Sequence, residues 1–325
     1  MSRVRPHILC WPRLEMARQE TVAALSAVEG IELCVVETLP ELLASLGEAD
    51  ALVLHSAPLS QAQAVVNALV PGGRLRWVHF LTAGRDAFET AGLPKDLLVS
   101  HVAGASAPVV AEHAMALLLA LCRRLPTALS FARDARWDRQ AMGRLVSLEG
   151  RTVGVLGTGA IGREVALRLR SFGAVAIGVN SSGSAQAGFD EIQAVAGLHG
   201  LLARCDALVV AVPLTPATRH LLDAAAFAAL PAGAYVVNVA RGAVIDQDAL
   251  CDALHSGHLG GAGLDVTDPE PVPSEDRLWS CPNLIVSPHV AAEGSDATAR
   301  RIADGTAENV CRFVRGEPLN DLALR

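Results

Sequence analysis

Residues 152–156, Thr-Val-Gly-Val-Leu, run without interruption into Gly157-Thr158-Gly159-Ala160-Ile161-Gly162, and a helical pattern carrying apolar Val165, Leu167 and Leu169 follows. A buried strand, a glycine turn and a helix in that order commit this part of the chain to a parallel α/β unit. Glycine at 157 permits the tight turn, at 159 lets a pyrophosphate approach the backbone, and at 162 lets the helix lie close to the strand. The free N–H groups of the helix start then face the anion. A purely structural glycine turn is the bland alternative, and the strand-to-helix context speaks against it.

The rest of the chain follows the same rhythm. Apolar runs at 7–10, 31–36, 51–55, 75–81 and 97–102 predict strands, with helical patterns over 14–28 and 61–69 between them. A long helix over 109–125 separates this series from a second one, with strands at 152–156, 174–179, 207–212, 235–239, 263–266 and 284–287. A last helix over 295–314 stops at Arg315-Gly316-Glu317-Pro318. The phrase Asp50-Ala51-Leu52-Val53-Leu54 recurs as Asp206-Ala207-Leu208-Val209-Val210, which suggests two doubly wound units, although an Ala-rich chain can repeat itself by coincidence. A length of 325 residues suits two domains, each with its own core.

Composition narrows the function classes. A net charge of −7 gives no reason to bind nucleic acid or an anionic membrane. The seven cysteines are scattered, with no spacing typical of a metal or redox motif, so they read as reduced core thiols and no metal is expected. The basic start, Met1 to Pro6, precedes an apolar stretch too short for a signal sequence, and the longest apolar run, 114–122, is far short of a bilayer span. The expected location is the cytoplasm.

Several polar residues sit where strands end, the edge at which open parallel sheets hold their ligands. The second strand of the second series ends at Asn180-Ser181-Ser182, with no carboxylate to accept from an adenosine ribose. That favours NADP, since nothing repels a 2′-phosphate and the serines can donate to it, while NAD stays open because no arginine follows. Arg241 leaves another strand, where a planar guanidinium could grip a carboxylate. Asp265 and, between Pro269 and Pro271, Glu270 flank a third exit, and His289 stands at a fourth. Reducing a keto acid requires a cation for the carboxylate and a general acid for the nascent alkoxide, and a carboxylate beside the imidazole keeps a proton available. Taken singly, each residue has an ordinary structural reading; their joint occurrence after the glycine turn does not.

With Leu81-Thr82-Ala83-Gly84-Arg85-Asp86, Val110-Ala111-Glu112-His113, Val212-Pro213-Leu214-Thr215, Asn238 to Gly242, Gly263 to Pro271 and Pro288-His289, the chain resembles the D-isomer-specific 2-hydroxyacid dehydrogenases, which include glyoxylate and hydroxypyruvate reductases. The resemblance covers nearly the whole chain. It implies that a Rossmann cofactor domain, 104–294, is inserted into a flavodoxin-like substrate domain formed by 1–103 and 295–325. It further implies that Arg241 binds substrate, that Glu270 and His289 form the acid/base pair, and that the backbone at Ala83 and Gly84 meets the substrate carboxylate. Asp265 would hold the nicotinamide carboxamide, and Val212, Pro213, Thr218 and Ala240 would line the cofactor cleft with the glycine turn. A homodimer acting on a small 2-keto or 2-hydroxy acid is the implied assembly, with the helix after Ser106 serving hinge and dimer contacts.

Two positions depart from the usual pattern: Arg85 replaces a small apolar residue, and Asn180 stands where many members have an acid. Arg85 either adds charge at a pocket mouth or points to solvent. The chain stops at Arg325, which argues against the long phosphoglycerate dehydrogenases. Formate or phosphite oxidation is a rival chemistry on the same fold, and a corepressor-like protein that binds the dinucleotide without turnover is the rival of a different class.

Overall fold

The computed structural model describes residues 5–70, 72–102 and 104–323; the first four residues of the basic start lie outside these. The chain forms two compact units, Met1–Ser106 with Glu293–Arg325, and Ala107–Ala292 inserted between them. It builds the first unit from β1 (His7–Trp11), α1 (Arg18–Ser26), β2 (Glu32–Val35), α2 (Leu39–Ser45), β3 (Ala51–Leu54), α3 (Leu59–Ala68), β4 (Trp77–Phe80), α4 (Asp86–Ala91) and β5 (Leu98–His101). The inserted unit runs through α5 (Ala107–Cys122), α6 (Leu125–Arg133), β6 (Thr152–Leu156), α7 (Ala160–Ser171), β7 (Val175–Asn180), β8 (Glu191–Ala194), α8 (Leu198–Leu202), β9 (Ala207–Val210), α9 (Ala224–Ala229), β10 (Ala234–Asn238), α10 (Gln247–His255), β11 (Leu259–Leu264) and β12 (Leu284–Val286). Helix α11 (Asp296–Arg315) returns to the first unit.

Both sheets are parallel, ordered β2-β1-β3-β4-β5 and β12-β11-β10-β9-β6-β7-β8. The first is the flavodoxin-like order, and the second is the Rossmann order extended by one strand. Side chains alternate between the faces of each sheet, so one strand feeds two cores. In the first unit Leu9, Leu52, Leu54 and Phe80 enter one core, while Ile8, Cys10, Val53 and Trp77 enter the other. In the inserted unit Leu156, Val179, Leu208 and Val210 lie on one side, and Val153, Val155, Ala176 and Val209 on the other.

The repeated Asp-Ala-Leu-Val phrase does the same work in both sheets. Asp50 precedes β3 and accepts the N–H of His7 at the start of β1 (2.8 Å); Asp206 precedes β9 and accepts the N–H of Thr152 at the start of β6 (3.0 Å). In return the Asp50 N–H donates to the carbonyl of His7 and that of Asp206 to Thr152, both at 2.8 Å. Each aspartate also pairs with arginine, Asp50 with Arg74 at 2.8 Å and Asp206 with Arg151 at 2.7 Å. Two central strands are thus clamped at their amino ends by a carboxylate that satisfies an otherwise open donor.

Helix α11, whose packing periodicity does not reveal, lies against α1. It is tied to the sheet by His79, fully buried, which bridges Ser100 Oγ (2.7 Å) and Thr306 Oγ1 (3.2 Å). Burial, with a smaller push from His101, takes the His79 imidazole down to about 3, so it enters this network neutral.

Several boundaries differ from the sequence reading. Residues 104–106 and 293–294 belong to the first unit rather than the inserted one, because the crossing coincides with the start of α5 and with the residues before α11; residue 103 lies outside the described residues. Helix α1 starts at Arg18 instead of 14 because Ala17 takes a left-handed conformation, φ 58°, which ends the preceding turn. Strand β11 begins at Leu259, four residues before the expected start at 263, and takes Gly260 and Gly261, both poor strand formers, into the sheet. There a Cβ at Gly260 would meet the Gly233 carbonyl at 2.5 Å.

Replacing Asp206 by Ala should cost about 1–3 kcal/mol by leaving the Thr152 N–H without its acceptor. Asp206→Asn, which keeps a carbonyl acceptor, should lose less, and urea unfolding of the two variants checks the order.

Candidate active site

The glycine turn is built by backbone meeting backbone. Gly157 has φ 102°, and a Cβ there would lie 2.5 Å from the Ala211 carbonyl oxygen and 3.0 Å from Val212 Cγ1. At Gly162 a Cβ would fall onto the Gly157 carbonyl oxygen. Gly159, by contrast, has nothing within 4 Å of a Cβ and stands as N-cap of α7 with no side-chain cap. Two glycines are therefore required by the fold, and the third leaves an open cradle over the free N–H groups around Ala160 and Ile161. That cradle fits a dinucleotide pyrophosphate. Thr158, within the turn, is nearly buried.

Asn180, at the end of β7, organises the neighbouring turn. Its amide nitrogen donates to Thr158 Oγ1 and to the Ser184 carbonyl, both at 2.9 Å, and its oxygen accepts from the N–H of Gly183 (2.6 Å) and of Ser182 (3.2 Å). Ser182 Oγ is engaged with Ser184 Oγ at 2.8 Å, and Ser181 is exposed. The side chain of residue 180 thus joins the glycine turn to a neutral serine loop. Beyond β9, Val212 leans on Gly157, and Thr218 closes the turn after Pro213 by donating to its carbonyl at 2.7 Å.

Arg241, Asp265 and His289 leave adjacent strands, β10, β11 and β12. Asn238, fully buried, accepts the Ala240 N–H and donates to the Arg241 carbonyl, both at 3.0 Å, so the peptide carrying Arg241 is held on both sides. Ala240 itself is buried, and its carbonyl accepts from Arg241 Nη1 at 2.6 Å. Asp265, only 2% exposed, directs its carboxylate at the loop beyond β12. One oxygen accepts from Ser287 Oγ (2.7 Å) and the Val290 N–H (3.0 Å), the other from the Ala291 N–H (3.0 Å). His113 of α5 closes this set, with Nε2 2.8 Å from Ser287 Oγ and 3.4 Å from the same Asp265 oxygen.

That loop carries His289 in a left-handed conformation, φ 56°, which is unfavourable for a residue with a Cβ. Its N–H donates to the Asp265 carbonyl at 2.8 Å, so the surroundings hold the strain. The imidazole Nδ1 is 2.9 Å from Glu270 Oε2, which leaves Nε2 as the outward atom of the ring. Glu270 in turn accepts the Thr267 N–H at 3.0 Å. Partial burial pushes the Glu270 carboxyl up, but the bonds from His289 and Thr267 and the charges of His289 and Arg241 outweigh it, and the group sits below its ordinary value. An ionised carboxylate behind an imidazole, with a guanidinium close enough to act on that carboxylate, can hold a proton and bind an anion side by side.

Ala83 and Gly84 lie in the first unit, after β4, where Thr82 Oγ1 donates to the Gly84 carbonyl (2.9 Å) and accepts the Ser56 N–H (3.1 Å). Arg85 forms an ion pair with Glu89 at 2.6 Å. Among the described residues no three His, Cys, Asp or Glu side chains gather as a metal site, and no single helix is long and apolar enough to cross a membrane. The residues that sequence reasoning left without a role are His113, Asn238 and Ser287. Each lies in a segment of family-like sequence, but what it touches is a matter of tertiary contact.

Comparison with known proteins identifies the family of the chain. Residues 115–291 match the family model described as D-isomer specific 2-hydroxyacid dehydrogenase, NAD binding domain. The chain is 36% identical over 286 residues to the D-3-phosphoglycerate dehydrogenase of Mycobacterium tuberculosis, covering 86% of this chain and 52% of that protein. It thus spans about half the length of the curated relatives it matches. A D-isomer specific 2-hydroxyacid dehydrogenase family protein from Aeromonas salmonicida superposes with a TM-score of 0.84 at 29% identity, over 98% of this chain and 99% of that one. An NADPH-dependent glyoxylate/hydroxypyruvate reductase from Sinorhizobium meliloti, in complex with NADP and sulfate, gives 0.83 at 28% identity, over 98% of both chains. With a glycine cradle, a carboxylate-backed histidine and a family model covering more than half of its residues, the chain belongs to the D-isomer-specific 2-hydroxyacid dehydrogenases and carries their NAD-binding domain.

Proposed function

We propose that this protein reduces a small 2-keto acid of the glyoxylate or hydroxypyruvate class to the D-2-hydroxy acid, with NADP(H) favoured over NAD(H). The observation that carries the reading is the 2.9 Å contact between His289 Nδ1 and Glu270 Oε2, with Arg241 at the neighbouring strand exit. A bound reduced nicotinamide supplies the hydride. Arg241 holds the substrate carboxylate through a charge-assisted, planar pair of bonds and so orients the carbonyl. His289 presents a proton from Nε2 to the carbonyl oxygen, and Glu270, ionised, stabilises the imidazolium before transfer and fixes the tautomer. The preference for NADP(H) rests on the neutral end of β7, where Asn180, Ser181 and Ser182 place no carboxylate against a 2′-phosphate. It is also in keeping with the NADP complex of the Sinorhizobium meliloti relative.

A second substrate is favoured by the 36% identity to proteins named D-3-phosphoglycerate dehydrogenase. Oxidation of D-3-phosphoglycerate therefore belongs beside reduction of glyoxylate and hydroxypyruvate in the assay. We also propose a homodimer. Helix α6 buries none of its residues, and Leu129 and Trp137 are 60% and 99% exposed, a set of apolar groups that a second copy would remove from water.

His289→Gln should reduce turnover by roughly 100-fold or more while NADPH affinity stays unchanged, read by steady-state rates and by fluorescence titration. Arg241→Ala should raise KM for the keto acid and lower kcat together; unchanged saturation behaviour would remove it from the substrate site. Wild-type protein that binds NADPH yet turns over none of these acids would instead be a dinucleotide-binding, corepressor-like protein.

The cradle is tested separately. Gly159→Ala should leave unfolding stability within about 0.5 kcal/mol but weaken NADPH roughly tenfold or more, because only the ligand occupies that space. Gly162→Ala should cost about 1–3 kcal/mol of stability with no ligand present. For assembly, the double variant L129S/W137A should raise the dimer dissociation constant by roughly tenfold or more in sedimentation velocity.

A further inference from the structure

At the amino ends of β6, β9, β10, β11 and β12, the opposite edge of the inserted unit's sheet from the glycine turn, lies a cavity of about 460 Å³. Its wall carries Arg124, Arg144, Arg151, Asp206, Tyr235 and His255. Asp206 is fully used: Arg151 and the Thr152 N–H engage its two oxygens. That leaves the charges of Arg124 and Arg144 uncompensated, and neither side chain has an acidic or hydrogen-bonding partner among the described residues. Arg124 Nε is shielded from solvent without an acceptor. The Arg124 guanidinium rests against Gly143, where a Cβ would lie 3.4 Å from its Cζ, and the next residue, Arg144, lines the same cavity. Tyr235, the chain's single tyrosine, is 9% exposed and lines the same cavity.

Two cations on the wall of one cavity without a counter-ion are unfavourable, and a buried donor without an acceptor is costly; one ligand relieves both. Such a concentration of positive charge also runs against the chain's net charge of −7. Planar guanidinium forks match the oxygens of phosphate and carboxylate, and a phenol adds a neutral donor. The cavity has room for a ligand of several heavy atoms rather than a lone ion.

We infer that this cavity binds a small molecule with two anionic groups, phosphates or carboxylates, held by Arg124 and Arg144, at a site separate from the dinucleotide cradle.

The test is calorimetric titration of the full chain, saturated with NADPH to occupy the cradle, with pyrophosphate and, in a second series, citrate. Saturable binding of either probe is expected, and the tighter one identifies the anionic group. Arg144→Gln and Arg124→Gln should each weaken that binding roughly tenfold or more while leaving NADPH affinity unchanged. Arg144 is exposed, so its variant reports on the site even if Arg124→Gln perturbs folding. Absence of binding at millimolar probe, or binding that R144Q leaves untouched, would overturn the inference. A change in oligomeric state for R144Q without any probe binding would also overturn it, by assigning these arginines to a second copy's acidic side chains.

Discussion

The Asp265 carboxylate is the constraint around which the chemical end of the inserted unit is arranged. A carboxyl group almost fully removed from water is tolerated only when its oxygens are satisfied, and three donors from the segment after β12 satisfy them. The same residue joins its neighbours through the backbone, its N–H reaching the Asn238 carbonyl and its carbonyl the His289 N–H. The exits of β10, β11 and β12 consequently form one hydrogen-bonded block. Arg241 and His289 sit on that block, and the left-handed backbone of His289 is sustainable because the block is rigid.

The two edges of each parallel sheet divide the labour. At the amino edge, Asp50 and Asp206 use the same bond to register a central strand against its partner, although the two sheets have different strand orders. At the carboxyl edge, the chain leaves the sheet in short loops whose backbone groups are not consumed by strand pairing, and there the glycine turn, Asn180, Arg241, Glu270 and His289 collect. The proposed chemistry occupies the edge where loop residues can change without altering the ladder.

Much of this was legible in the sequence because it is local. The order strand, Gly157-Thr158-Gly159-Ala160-Ile161-Gly162, helix determines its own geometry within twelve residues or so, and β6 lies where the apolar run puts it. His289, Glu270 and Arg241 stood out because charged side chains directly after buried strands are hard to explain as scaffold. What escaped is what depends on partners distant in sequence or on weak local patterns. Strand β8, Glu191–Ala194, has one large apolar residue in four and pairs only at the sheet edge. Gly260 and Gly261 conceal a strand because the reason for them, close approach to Gly233 and Asn283, lies outside it. Nothing near His113 in the chain announces a bond to Ser287, 174 residues away.

Asn180 gives the choice of dinucleotide an architectural side. Its amide group donates both to Thr158 of the glycine turn and to the Ser184 carbonyl. A carboxylate at the same position would accept from a ribose, but it would also face that carbonyl with like partial charge and release the serine turn. A change at residue 180 would therefore also disturb residues 182–184, so that the coenzyme preference proposed above would be a property of a segment and not of one side chain.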